Sequence, residues 1–251
     1  MRRLRMRWFP LLLTTLFFAN PALAITGSAP IESSENRHEV MIVGSGGTFC
    51  TGAAIARDVV LTAAHCVMPR SDYKVIEFNP VREPYFIDVR TVVRHPKFSL
   101  SDLLGHRATA DVALLKMAAP LPQSVSPAVM GEGPAPKPGD EYTIRGYGVA
   151  VRGDGKTGGT LRSARLAATG KPGNLQVRLV DATTGGIKAG LGACTGDSGA
   201  PVYREAVLVG VVSWSTAPKL EQGCGGLTGV TPLALYLSWI VTTASKLRTA
   251  P

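Results

Sequence analysis

The sequence predicts an all-β fold of sandwich or barrel type, on three observations. Short runs rich in β-branched residues recur along the chain, 28 Gly and 18 Pro punctuate them, and sustained helical periodicity is nearly absent. At 251 residues the chain can bury a sizeable core as one unit or two.

Residues 1–24 read as a secretory signal and not as part of that fold. Arg2, Arg3, Arg5 and Arg7 form a basic start, residues 11–18 an apolar stretch, and Ala22-Leu23-Ala24 a small-x-small cleavage site. The apolar stretch is short for a membrane span, so a retained anchor is the weaker alternative, and the Arg2-Arg3 pair lacks the context of twin-arginine export. Strands are then expected at 39–43, 53–62, 86–94, 141–144, 174–180 and 207–214. The main helical pattern, at 233–246, is apolar at Leu233, Leu237, Ile240 and Val241, and reads as an amphipathic helix docked on the body. Between the halves, Pro120, Pro122, Pro127, Pro134, Pro136 and Pro138 crowd a stretch that by composition is a linker. No internal repeat is visible.

Removing the signal takes away four arginines and no acids, so Lys+Arg falls from 27 to 23 against 18 acids, near +5. Between Arg145 and Arg178 the basic excess concentrates, with Arg152, Lys156, Arg162, Arg165 and Lys171 facing only Asp154. Too few aromatics are interleaved there for stacking on bases, so a solvated surface is expected and nucleic acid is not a partner. Four cysteines in an exported chain imply two disulfides, with three connectivities open. A zinc site drawing on these cysteines and His38, His65, His95 or His106 finds no supporting two-residue spacing.

Three segments carry chemistry. Cys194-Thr195-Gly196-Asp197-Ser198-Gly199-Ala200-Pro201 offers a nucleophile in a turn whose amides can hold an oxyanion, Leu61-Thr62-Ala63-Ala64-His65-Cys66 a histidine, and Asp111-Val112-Ala113-Leu114-Leu115 an acid. Serine is a weak nucleophile at neutral pH and needs a base whose tautomer a third group fixes. Asp102 lacks the apolar run that follows Asp111 and would carry the acid on a buried strand.

The order His, Asp, Ser in these contexts, with Gly146-Tyr147-Gly148 and Ser213-Trp214, resembles the trypsin-like, chymotrypsin-fold serine peptidases from Ile25 to about Leu247. The resemblance implies two packed six-stranded antiparallel β-barrels, over about 25–120 and 135–232, with a short C-terminal helix at about 233–248 and the site in the cleft between. The proline stretch becomes an ordered crossing. By the same resemblance Ser198 is the nucleophile, His65 the acid/base and Asp111 the orienting carboxylate, and the amides of Gly196 and Ser198 form the oxyanion hole. Disulfides Cys50–Cys66 and Cys194–Cys224 would each brace one catalytic segment. Ser213, Trp214 and Ser215 would meet extended substrate. Gly192 would floor the specificity pocket and Ser215 and Gly229 wall it, and with no carboxylate at Gly192 uncharged residues are expected before the scissile bond, medium to large apolar ones above the rest. Glu221 could reach in. Cleavage after Ala24 would free Ile25 to pair with Asp197, so that the signal peptidase itself makes the activating terminus.

Departures from the family pattern are Ala200 for a usual glycine, Tyr147 for tryptophan, Ser215 for glycine, two absent cysteine pairs and an expanded segment at 216–223. They suit a bacterial member. The expectation is an exported endopeptidase, secreted or periplasmic and monomeric, acting on polypeptides, open to a protein inhibitor, without cofactor, metal or stable membrane insertion. A non-catalytic binding module on this fold, or an esterase using the same groups, is the alternative.

Overall fold

A computed structural model describes residues 25–79, 81–105, 107–170 and 175–249. The expected signal segment, His106, Lys171 and Asn174 lie outside them.

The first barrel contains β1 (Glu39–Gly44), β2 (Phe49–Ala56), β3 (Val59–Thr62), β4 (Tyr73–Phe78), β5 (Pro84–Arg94) and β6 (Ala113–Met117), closed in the order β1-β2-β3-β6-β5-β4. The second contains β7 (Glu141–Gly146), β8 (Arg162–Ala168), β9 (Val177–Val180), β10 (Pro201–Arg204), β11 (Val207–Ser215) and β12 (Thr228–Pro232), closed as β10-β11-β12-β9-β8-β7. All pairings are antiparallel. Closure leaves no unpaired sheet edge, and alternation sends every second side chain inwards. Val40, Ile42, Val60, Val75 and Leu115 fill the first core, and Ile144, Leu166, Leu179, Val202 and Val212 the second.

Several expectations need correction. The run 53–62 is not one strand: it turns at Arg57-Asp58, where Met117 donates its amide to the Asp58 carbonyl and Lys116 pairs with the Asp58 carboxylate. Strands β4, β8, β10 and β12 were not among the expected runs, although β4 alternates buried Tyr73 and Val75 with exposed Lys74 and Phe78. The C-terminal helix, α2 (Leu237–Thr249), follows a separate turn at Leu233–Leu235. That break resets the phase, so Val241 faces solvent while Ile240 and Leu247, seven apart, are buried. The helix packs with Leu233, Tyr236 and Trp239 on Leu61, Val112 and Leu114, so the chain's end clasps the first barrel. A short helix, α1 (Leu100–Leu104), capped by Ser99, precedes the acid segment.

The proline-rich stretch is an ordered crossing. Ala128 donates to the Ala54 carbonyl at 2.8 Å on one barrel, and Gly131 to the Leu208 carbonyl at 3.1 Å on the other. Nor is the basic stretch one solvated face. Arg145 reaches buried Glu39 at 3.7 Å, Arg162 is buried, and Arg178 lies over the Trp214 ring at 5.5 Å. No helix among the described residues is long and apolar enough to cross a membrane.

Candidate active site

His65 sits in a single 3-10 turn, Ala64–Val67, that leaves β3, and Asp111 precedes β6, which pairs with β3. The pairing brings together residues 46 apart in sequence. Asp111 is fully buried, and each of its oxygens has a partner. Oδ1 accepts the His65 backbone amide at 2.9 Å; Oδ2 accepts the Ser213 hydroxyl at 2.6 Å and faces His65 Nδ1 at 2.8 Å. A buried carboxylate without such donors would cost several kcal/mol. The arrangement holds Nδ1 to the acid and leaves Nε2 facing Cys66 Sγ at 3.9 Å, on a ring that lines the cleft.

The serine turn comes from the second barrel. Gly196 has φ +96°, and a Cβ there would stand 2.6 Å from the Phe49 ring and 2.9 Å from Gly148 Cα, so the position demands glycine. Gly199, at φ +78°, is closed in by Thr62 Oγ1 and the Thr51 carbonyl. These contacts dock the turn on the first barrel: Thr51 donates its amide to the Ser198 carbonyl at 2.9 Å and its hydroxyl to the Gly196 carbonyl at 2.8 Å. Among the described residues the amides of Gly196 and Ser198 donate to no protein acceptor. Such amides on a fixed turn suit developing negative charge. Ala200 is buried in the second core, away from His65 and Asp111.

Disulfides Cys50–Cys66 and Cys194–Cys224 flank the two segments, with Cα atoms 6.2 and 5.0 Å apart. Cys50, His65 and Cys66 are the closest metal-like cluster among the described residues, but the sulfurs are bonded to each other and cannot act as thiolates. His38 instead meets the Ser126 carbonyl at 2.7 Å, and His95 packs edge-on against Tyr236 and Trp239. Asp102 is engaged at the surface by Arg107.

His65 and Ser198 open on one cleft of about 430 Å³, lined also by Phe49, Thr195, Gly196, Ser215 and, from the expanded segment, Glu221. Arg152 stands at its rim and donates to the Gln222 carbonyl at 2.6 Å. Gly192, Ser213, Trp214 and Gly229 do not line it. Around Gly192 the space is taken, since a Cβ would stand 3.2 Å from Gly225 Cα and 3.5 Å from Thr228 Oγ1. The role expected of Gly229 needs correction. Gly229 lies under the Trp214 indole, where a Cβ would meet ring atoms at 2.1 Å, while its neighbour Thr228 turns the opposite way and accepts the Ala193 amide at 3.0 Å. Adjacent strand residues face opposite sides, so Thr228 and not Gly229 turns towards Gly192 and Ala193; like them, Thr228 does not line the cleft.

Asp197 is fully buried beside Ser198 and accepts amides from Gly148 at 2.8 Å and Cys194 at 2.9 Å. Loss of water pushes its carboxyl up to about 7, against the pull of those amides and of the Arg162 charge. Ile25, also fully buried, shares the second-barrel core with Ala193 and Ala200 on either side of this turn, and Thr26 bridges to Gly192.

The family model described as Trypsin matches residues 25–240. Relatives include snake venom serine protease rhinocerase 4 of Bitis rhinoceros, 26% identical over 86% of each chain, and trypsin II-P29 of Gallus gallus, 30% identical over 78% of this chain and 79% of that one. Among solved structures, neuropsin, a serine protease expressed in the limbic system of mouse brain, superposes with a TM-score of 0.67 at 21% identity, covering 86% of this chain and 98% of its own.

Proposed function

This chain belongs to the trypsin family of serine-type endopeptidases, and we propose that it is exported and cleaves polypeptides through an acyl-enzyme on Ser198. The observation that carries the proposal is the hydrogen-bonded line from Ser213 through Asp111 to His65, ending in the cleft that Ser198 also lines. Neutral His65 accepts the Ser198 proton through Nε2 as Oγ attacks the scissile carbonyl. Asp111 holds the tautomer and stabilises the imidazolium. The oxyanion draws on the amides of Gly196 and Ser198, and the imidazolium then protonates the departing amine. Water repeats the sequence to free the enzyme.

Residues 1–24 act as the export signal, and cleavage after Ala24 gives Ile25 an α-amine at the turn that holds Asp197. Placing a cation beside a buried carboxylate stabilises its charged form and hence the oxyanion-binding turn. Residue choice before the scissile bond follows the pocket. Thr228 and Gly225 leave little depth above Gly192, which favours small uncharged side chains over the medium to large ones that the sequence alone suggests.

A serine-directed phosphonylating reagent tests the reaction. Labelling of Ser198 with loss of peptide hydrolysis is expected. Unimpaired hydrolysis in Ser198→Ala would remove the assignment.

A further inference from the structure

The serine turn has a source of positive charge besides the chain terminus, and it lies on β8. Ala164, Leu166 and Ala168 are the inward residues of that strand, packed in the second core, and Arg162 is the next member of the series. An arginine therefore heads an apolar inward face, and it is only 4% exposed. Register decides what it meets. Arg162 stands opposite Gly146 of β7, and directly opposed residues of antiparallel strands project to the same face with Cβ positions about 5 Å apart. A Cβ on Gly146 would run into Asp197 Oδ1, so that face is the one Asp197 occupies. From the other side residues 30–32 pin the head of the strand: Ser163 donates its amide to the Pro30 carbonyl at 3.3 Å, Glu32 donates to the Leu161 carbonyl at 3.0 Å, and Ile31 bridges to Arg162. Burial works against the charge of both groups, and each is pulled back towards its charged form by the other. The other groups that meet the Asp197 carboxylate are the amides of Gly148 and Cys194.

Resting on the peptidase reading above, we propose that Arg162 is a positioning residue: a counter-charge built into β8 that holds the Asp197 carboxylate, and with it the oxyanion-binding turn, whatever the state of the chain's N-terminus. The amine of Ile25 exists only after cleavage. Arg162 is present in every form of the chain, so two cations share one carboxylate in the cleaved form and one remains in the uncleaved form. The uncleaved form therefore keeps a fraction of its activity, and that fraction depends on Arg162. A role confined to holding the Thr160 carbonyl, to which Arg162 Nη1 donates at 3.4 Å, would serve both chain forms alike.

The test crosses the two cations. Peptide hydrolysis is measured in the chain beginning at Ile25 and in one carrying a single extra residue before it, each with Arg162, Arg162→Met and Arg162→Lys, after circular dichroism has shown the proteins folded. In the extended chain Arg162→Met should lower kcat about tenfold, the low end of what one opposite charge does to the ionisation of a carboxylate, and Arg162→Lys should recover most of it. In the chain beginning at Ile25 the loss should be no more than about threefold, because the amine remains. Equal losses in the two chains, no loss in either, or a lysine that recovers nothing would overturn the proposal. Arg162→Gln takes the place of Arg162→Met should that variant not fold. Should neither chain cleave peptides, the peptidase reading fails separately, and the carboxyl carbon resonance of Asp197, identified by its absence in Asp197→Asn, decides the pairing. In the extended chain its titration midpoint should rise by about one pH unit in Arg162→Met and return in Arg162→Lys. A midpoint that does not move refutes the pairing.

Discussion

The two barrels supply the two halves of the site in different ways. The first half, His65 with Asp111, is tied by three hydrogen bonds to one buried carboxylate, and every charge in it has a partner within the folded chain. The second half, the Ser198 turn, rests on glycines and encloses Asp197, whose carboxyl sits near 7 because burial outweighs its two amide donors. The difference is one of compensation: Asp111 is met by three donors, whereas Asp197 keeps a raised carboxyl despite two amides and the Arg162 charge, and the amine proposed for Ile25 would add a second cation on the serine side of the cleft.

The largest effects should come from removing either partner of the proton transfer, one from each half. Ser198→Ala and His65→Ala should each lower kcat by on the order of 10⁶-fold, and the double variant by no more, because the groups act as one unit. Asp111→Asn should cost about 10⁴-fold, the scale of losing the orienting acid in triads of this family. Stopped assays on variants whose circular dichroism matches wild type check both, and additive losses would refute a shared mechanism.

Next come changes confined to the serine half. A chain with one uncleaved residue before Ile25 should lose about 10²-fold or more in kcat, the scale of an oxyanion donor put out of place. Full activity in that chain would break the comparison. Stability should separate the two forms as well. With its folded value raised above the unfolded one of about 3.9, Asp197 contributes fully below pH 4, and that contribution is lost as pH climbs through about 7. The chain with the blocked terminus should therefore lose Tm between pH 4 and 8, whereas the mature chain, its carboxylate paired with an amine, should hold or gain it. Thermal scans of Ser198→Ala versions avoid self-digestion.

Smaller effects sharpen the division. Thr228→Gly should deepen the pocket and raise kcat/KM for Leu or Phe over Ala substrates by about 10- to 100-fold, the range for one or two buried methylenes. Loss of Cys50–Cys66 by paired alanine substitution should lower stability by about 3 kcal/mol in the chain-entropy account, with kcat of the remaining folded enzyme little changed. Both disulfides line the cleft, but loss of Cys194–Cys224, which anchors the turn carrying Gly196 and Ser198, should reduce kcat too.

Much of this was legible in the chain because motif residues sit in short contexts. The runs around His65, Asp111 and Ser198 each announce a local structure, and 28 glycines with recurrent β-branched runs announce a barrel. Strands β8, β10 and β12 were hard to read because small or polar residues interrupt their apolar ones, whereas β4 alternates in the ordinary way and was passed over for its shortness. Arg145 and Arg162 read as surface charge, yet the fold turns the half-exposed Arg145 onto buried Glu39 and buries Arg162 near Asp197.

By itself, then, the sequence determined the all-β class and the chemical cast, since a nucleophile, a base and an acid in those contexts are set by residue type. Tertiary structure alone decided what depends on register and burial: that Thr228 and not Gly229 turns towards Ala193, that Phe49 packs with Met41 of β1, and that Asp197 lies out of water. Register reverses a side chain's face with a one-residue shift, and burial is summed over distant segments, so neither can be read from a window of neighbouring residues.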